Sequence, residues 1–138
     1  MKFLGLYRPA APEGTPPSQE TMANMGKLIE EMTKAGVLLA TEGCMPSSKG
    51  ARVRYSGGKF TVTDGPFTET KELIAGFALF EVKSKEEAIE WSRRFMEVAG
   101  EGENEIRQIF EGGNCAPESA AEFGKTEHLE PAQVGANL

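Results

Sequence analysis

Between two strand-like runs the chain carries Asp64-Gly65-Pro66-Phe67-Thr68-Glu69-Thr70-Lys71-Glu72, a turn crowded with ionisable groups. The Gly-Pro step stiffens this turn and aims the Asp64 carboxylate, and a carboxylate held in one direction can serve as a general acid or base. The same side chain can instead accept the amide hydrogens of its own turn, as Asp commonly does there. Gly65 and Pro66 position their neighbours, and Phe67 is a core plug or a pocket wall. In an extended segment Glu69 and Lys71 share one side, while Thr70 and Glu72 share the other. Lys71 and Glu72 can anchor a polar ligand or form surface ion pairs of about 0 to 1 kcal/mol. Arg52 and Arg54 stand two apart on a strand. On that one face they can clamp a carboxylate with two guanidinium forks, or line the solvated side of an edge strand. Tyr7, ending an early strand, offers a hydroxyl to a cleft or an aromatic edge to the core.

Other chemistries lack their residues. Cys44 has no histidine within residues 1 to 111 to take its proton, and the single histidine, His128, lies near Cys115 in the C-terminal segment. Thiolate catalysis is not expected. One distant imidazole and scattered carboxylates give none of the spacings of zinc or iron sites. Glycines at 57 and 58, 100 and 102, and 112 and 113 match no phosphate-binding fingerprint. No metal and no cofactor is expected. Nucleic acid is a poor partner too: 21 acidic against 15 basic residues leave a net charge of −6, which repels a phosphate backbone unless bases gather on one face. Lys49, Arg52 and Arg54 are too few for that.

These groups need a frame. The chain has 138 residues, 39% apolar and 26% charged, the composition of one ordinary globular domain. No run approaches the roughly 20 apolar residues of a membrane helix, and Phe3 to Tyr7 is too short for the apolar region of a signal peptide. A cytoplasmic location with reduced thiols is expected.

Phe3-Leu4-Gly5-Leu6-Tyr7 reads as a strand, closed by the cluster from Pro9 to Pro17. Ser18 is an N-cap, and Met22, Met25, Leu28 or Ile29, and Met32 recur every three to four residues as one helical face ending at Gly36. Val37 to Ala40 suits a strand buried on both faces. Arg52 to Tyr55 and Phe60 to Thr63 alternate with period two around Ser56-Gly57-Gly58-Lys59, whose glycines permit a tight hairpin. Leu73 to Phe80 is the longest apolar run and reads as buried strand, continuing through Gly76 to Val82. Ser84-Lys85-Glu86-Glu87 is a capping box. It opens a helix with Ala88, Trp91 or Ser92, Phe95 and Ala99 inward and Gly100 at its end. Glu105 to Phe110 makes a last strand.

That order contains the βαββαβ arrangement of the ferredoxin-like α+β fold with an extra β-hairpin. Both helices then cover one sheet face. Phe77 and Leu79 point one way while Ala78, Phe80 and Val82 point the other, so one apolar set lacks a cover. A homodimer stacked sheet to sheet supplies it. The domain is read as residues 1–111. Residues 112–138 form a C-terminal extension, partly helical from Pro117 to Phe123, with too few apolar residues (Phe123, Leu129, Val134) to serve as the cover.

The run from Asp64 to Phe67, then Glu69 to Glu72, Gly76-Phe77 and the helix around Glu87-Ala88-Ile89-Glu90-Trp91, resembles the DGPF proteins of the YCII-related group. Gly36 to Leu39, the Gly43 to Ser47 turn and Ile106-Arg107 add to the likeness, which covers roughly residues 1 to 111. The resemblance implies a dimeric α/β barrel of ferredoxin-like units. Members of the group are mostly uncharacterised, some resemble accessory proteins associated with sigma factors, and the wider group is proposed to include enzymes with a His and Asp pair. His128 lies outside the matched region, so that pair does not carry over.

Two functions are compatible with these residues. The first is binding of a small polar organic molecule in a pocket near Asp64, lined by Tyr7, Arg52, Arg54, Gly65, Pro66, Phe67, Lys71 or Glu72, with Asp64 as the proton-transfer group of any reaction. The second is a non-catalytic dimeric module that binds a protein partner in a regulatory role linked to sigma factors.

Overall fold

The computed structural model describes residues 1–111. The expected C-terminal extension, with Cys115, His128 and the Pro117 to Phe123 helix, lies outside the described residues.

Strand β1 (Lys2–Pro9) leads through the proline-rich loop to helix α1 (Gln19–Lys34), then to β2 (Leu38–Gly43). The hairpin strands β3 (Ala51–Ser56) and β4 (Lys59–Asp64) follow, and β5 (Gly76–Glu81), α2 (Lys85–Ala99) and β6 (Gly102–Gln108) complete the order. β2, β5, β1 and β6 form one antiparallel sheet in that sequence of neighbours, with β3 and β4 as a separate two-stranded sheet. This is the ferredoxin-like topology with an inserted hairpin. No helix among the described residues is long and apolar enough to cross a membrane.

Local chemistry sets the helix ends. The Ser18 hydroxyl accepts the Thr21 amide hydrogen at 3.0 Å, satisfying a donor that the first turn leaves unpaired. At the other end Gly36 has φ +72°, and the amides of Gly36 and Val37 donate to the carbonyls of Thr33 and Met32. This glycine-terminated motif also buries Val37 against Met32 in the core. Ser84 accepts from the Glu87 amide at 3.1 Å. The Glu87 carboxylate accepts from Lys83 at 2.8 Å, one residue before the cap itself.

The core lies between helices and sheet. Phe3, Leu28, Met32, Val37, Phe80, Val82 and Ala88 are buried together, with Met25, Trp91, Phe95, Val98 and Ile106 packed around them. Leu4 pairs with Leu79 and Leu6 with Phe77 on the opposite sheet face, and none of these four joins that core. The two-sided apolar character of β5 is therefore as expected. An Arg94–Glu31 ion pair joins the helices, with Nη2 to Oε1 at 2.8 Å.

Several expectations need correction. Met22 is 53% exposed, so the packed stripe of α1 starts one turn later at Met25. On α2 it is Val98 that packs inward, where Ala99 was expected. β2 is an edge strand and not buried on both faces: a register shift between Leu38 and Ala40 turns Leu39 outward. Leu73 to Ala75 are loop, with β5 starting at Gly76, where a Cβ would stand 2.8 Å from the Glu42 carbonyl oxygen. β6 begins three residues before the expected Glu105, because pairing with β1 extends from Phe3–Gln108 to Pro9–Gly102. Polar Glu103 and Asn104 hid that extension.

Candidate functional site

The turn after β4 is tied from outside rather than by its own aspartate. The Gly65 amide donates to the Gly50 carbonyl at 3.1 Å, and the Phe67 amide donates to Ser47 Oγ at 3.1 Å. Ser47 is itself gripped by Glu13, whose carboxylate accepts from the Ser47 amide at 2.7 Å and from its hydroxyl at 2.6 Å. Gly65 is required here because a Cβ would overlap the Ser47 carbonyl. The Gly65–Pro66 peptide bond is cis.

With the turn held this way, the Asp64 side chain makes no hydrogen bond or ion pair among the described residues, and it stands exposed at the end of β4. The alternative in which Asp64 is consumed by its own turn is thereby corrected. Arg52 lies with its guanidinium carbon 4.0 Å from the centre of the Phe67 ring, a cation–π placement, and its Nη2 is 3.9 Å from Glu72 Oε2. Phe67 thus serves as a platform under a cation, half-buried, rather than as a core plug.

Arg54 shares the Arg52 face, since Arg52 pairs with Thr63 and Arg54 with Thr61. Lys71 is exposed on the single 3-10 turn Thr70–Glu72. That turn overturns the extended alternation expected for Glu69 to Glu72: three residues per turn do not alternate sides. Pro66 is exposed beside Gly65.

Tyr7 is not brought to this cluster. Its carbonyl accepts from the Ala75 amide at 2.8 Å, but its ring meets Phe95 edge-on at 5.1 Å. Its hydroxyl donates to the Ala99 carbonyl at 3.4 Å, and burial pushes its pKa above the ordinary phenol value. A groove of about 640 Å³ lies on that side, between α2 and β6, lined in part by Ile89, Ser92, Met96, Asn104 and Ile106. Asp64 is not among its lining residues.

Cys44 is exposed and free. Among the described residues no three His, Cys, Asp or Glu side chains stand close enough to hold a metal ion. Glu13 and Ser47 are the residues sequence reasoning missed as organisers of the turn. Ser47 sits in the Gly43 to Ser47 segment already prominent in the sequence, but nothing local marks Glu13, 34 residues away.

The family model of the YCII-related domain matches residues 1–112. The chain belongs to the YCII-related family. This YCII-related chain is similar to the "Uncharacterized protein R00369" of Rhizobium meliloti (strain 1021), 33% identical over 75 residues that cover 54% of this chain and 60% of that protein. The matched stretch is thus less than two thirds of that relative's length. Among solved structures, this YCII-related chain is similar to 5-chloro-2-hydroxyhydroquinone dehydrochlorinase (TftG) from Burkholderia phenoliruptrix AC1100, in complex with 2,5-dihydroxybenzoquinone. Identity is 14%, with 84% of this chain and 100% of that one covered at a TM-score of 0.42. So loose an overlap decides nothing about chemistry here.

Proposed function

We propose that this YCII-related protein binds a small polar organic molecule carrying an anionic group at the turn after β4, as a cytoplasmic homodimer. The observation that carries the reading is the disengaged Asp64 carboxylate: Ser47, Gly50 and Glu13 hold the turn, so Asp64 is not needed for that purpose. A guanidinium stacked on an aromatic ring is pre-organised to hold a carboxylate. Arg52 on Phe67 has that form, with Arg54 and Lys71 as further cations and Glu72 as the group that orients Arg52. Asp64 ends β4 on the Val62 side of the hairpin, opposite Arg52 and Arg54, so in this reading it reaches the ligand around the strand end, as hydrogen-bond acceptor and, if turnover occurs, as the proton-transfer group. Tyr7 is left out of this site.

Stacking of the half-buried Leu4, Leu6, Phe77 and Leu79 faces, which stand outside the helix-side core, builds the dimeric α/β barrel of this reading, removing apolar area from water in both copies. The test is thermal shift with a panel of small hydroxy and keto acids. A binding acid at 100 times its Kd raises stability by about 2.7 kcal/mol. Asp64→Asn and Arg52→Ala are expected to abolish that rise while leaving the unliganded melting temperature nearly unchanged. Equal stabilisation of wild type and both variants, or none with any acid, refutes the reading. A protein-binding module is the second reading, favoured by the exposed apolar face of the hairpin.

A further inference from the structure

The β3–β4 hairpin sorts its side chains by face. Arg52, Arg54, Lys59, Thr61 and Thr63 share one side, while Val53, Tyr55, Phe60 and Val62 share the other, with Asp64 at its base. The four apolar side chains are 62 to 73% exposed. On the cationic side, no carboxylate lies between residues 43 and 63 of the sequence, and Arg54 and Lys59 pair with none among the described residues.

The two strands pair only with each other, so each keeps one edge of open N–H and C=O groups. No other helix or strand among the described residues packs extensively on either. Two strands alone are marginal in water, and a third supplies what they lack. β3 carries both arginines. A strand added along its edge would therefore set alternate side chains beside Arg52 and Arg54 on one face, and the intervening ones beside Val53 and Tyr55 on the other.

Charge decides which strand fits. Cations on an edge turn most strands away, a second β3 among them, since its arginines would share that face and like charges there repel. Carboxylates at every second position convert the same edge into cross-strand ion pairs. Apolar residues between them meet Val53 and Tyr55 and leave water.

We propose that the free edge of β3 is a docking site for an extended peptide segment of a protein partner, one in which acidic and apolar residues alternate, added as a third strand. The site rests on the protein-binding reading above and gives that reading its partner's chemistry.

Fluorescence anisotropy of a labelled nine-residue peptide alternating valine with glutamate, titrated with the full chain, tests it. The peptide is expected to bind, and its lysine-for-glutamate counterpart to bind at least about tenfold more weakly. Methylating the amide nitrogens of one alternate set of peptide residues is expected to weaken binding about tenfold, and methylating the other set to change little, because only every second amide faces β3. Arg54→Glu is expected to weaken the glutamate peptide about tenfold and to strengthen the lysine one. Arg54→Ala, the milder change should the reversal disturb the hairpin, is expected to weaken the glutamate peptide about threefold. Lys34→Glu, the same charge change placed on α1, is expected to leave both peptides as they were. Equal binding of the two peptides, or an equal response to both methylation patterns, overturns the docking site. A glutamate peptide held as tightly by both Arg54 variants as by wild type also overturns it, and leaves a protein-binding module using another surface. No binding of either peptide at millimolar concentration overturns the docking site together with the protein-binding reading; the small-acid reading keeps its own test.

Discussion

The helix-covered body and the β3–β4 hairpin keep their shapes by different means. In the body seven side chains are buried together, and apolar burial of roughly 25 cal/mol per Å² does the work. In β3 and β4 every residue is exposed. The hairpin stands on its ladder, on two turn glycines at φ +59° and +77°, and on the Glu13–Ser47–Phe67 tie at its base. The difference teaches what a region shaped by a few polar ties leaves free: side chains such as Asp64 and Arg54 stand exposed and are not used to hold the hairpin together.

The contrast can be broken by mutation, beginning with the largest effect. Phe80→Ala removes a ring that stacks on Phe3 in the core and is expected to cost about 3 to 5 kcal/mol, read as a fall in the urea midpoint of the whole domain. Gly65→Ala forces a methyl into the Ser47 carbonyl and is expected to cost about 1 to 3 kcal/mol. Its signature is regional. Hydrogen exchange should quicken in β3 and β4 while β1 and β5 keep their protection, and equal loss in both regions would erase the distinction. Ser84→Ala, removing the α2 cap, should cost about 1 kcal/mol with the opposite pattern, faster exchange at the start of α2 and an unchanged hairpin. Arg54→Ala, on the hairpin's solvated face, should stay within about 0.5 kcal/mol of wild type by thermal melting.

The smallest effect is a pH dependence confined to the body. The Arg94 guanidinium bonded to Glu31 holds its carboxyl below the ordinary carboxylate range. A folded pKa below the unfolded one means the pair stabilises at pH above the unfolded carboxylate value, and that contribution disappears as pH falls through the lowered folded value. Glu31→Gln is expected to flatten the acid limb of a stability–pH curve slightly, because both side chains are largely exposed.

The elements with strong local causes were legible in the chain. Ser18, Gly36, Ser84 and Gly100 bound the helices as their side chains or backbone freedom require, and Gly57-Gly58 turned the hairpin. The alternation around Phe77 to Val82 revealed two sheet faces and one helix layer. What misled was long-range. Met22 has the right helical phase but lies beyond the packed cluster, Glu103 and Asn104 are strand only because β1 supplies the ladder, and Tyr7 went to the helix side. At the candidate site the sequence pointed to Asp64 and the paired arginines. It could not show that Glu13 reaches across 34 residues to hold Ser47, and hence that Asp64 is released from the turn it begins.

Sequence by itself determined which residues start, stop and turn the elements, because caps, glycines and side-chain periodicity act within a few residues. Tertiary structure alone decided which edge strand bulges, which aromatic lies under Arg52, and which carboxylate is occupied and which is left open. Those outcomes depend on groups that are distant along the chain and meet only when the sheet is assembled, so no local pattern encodes them.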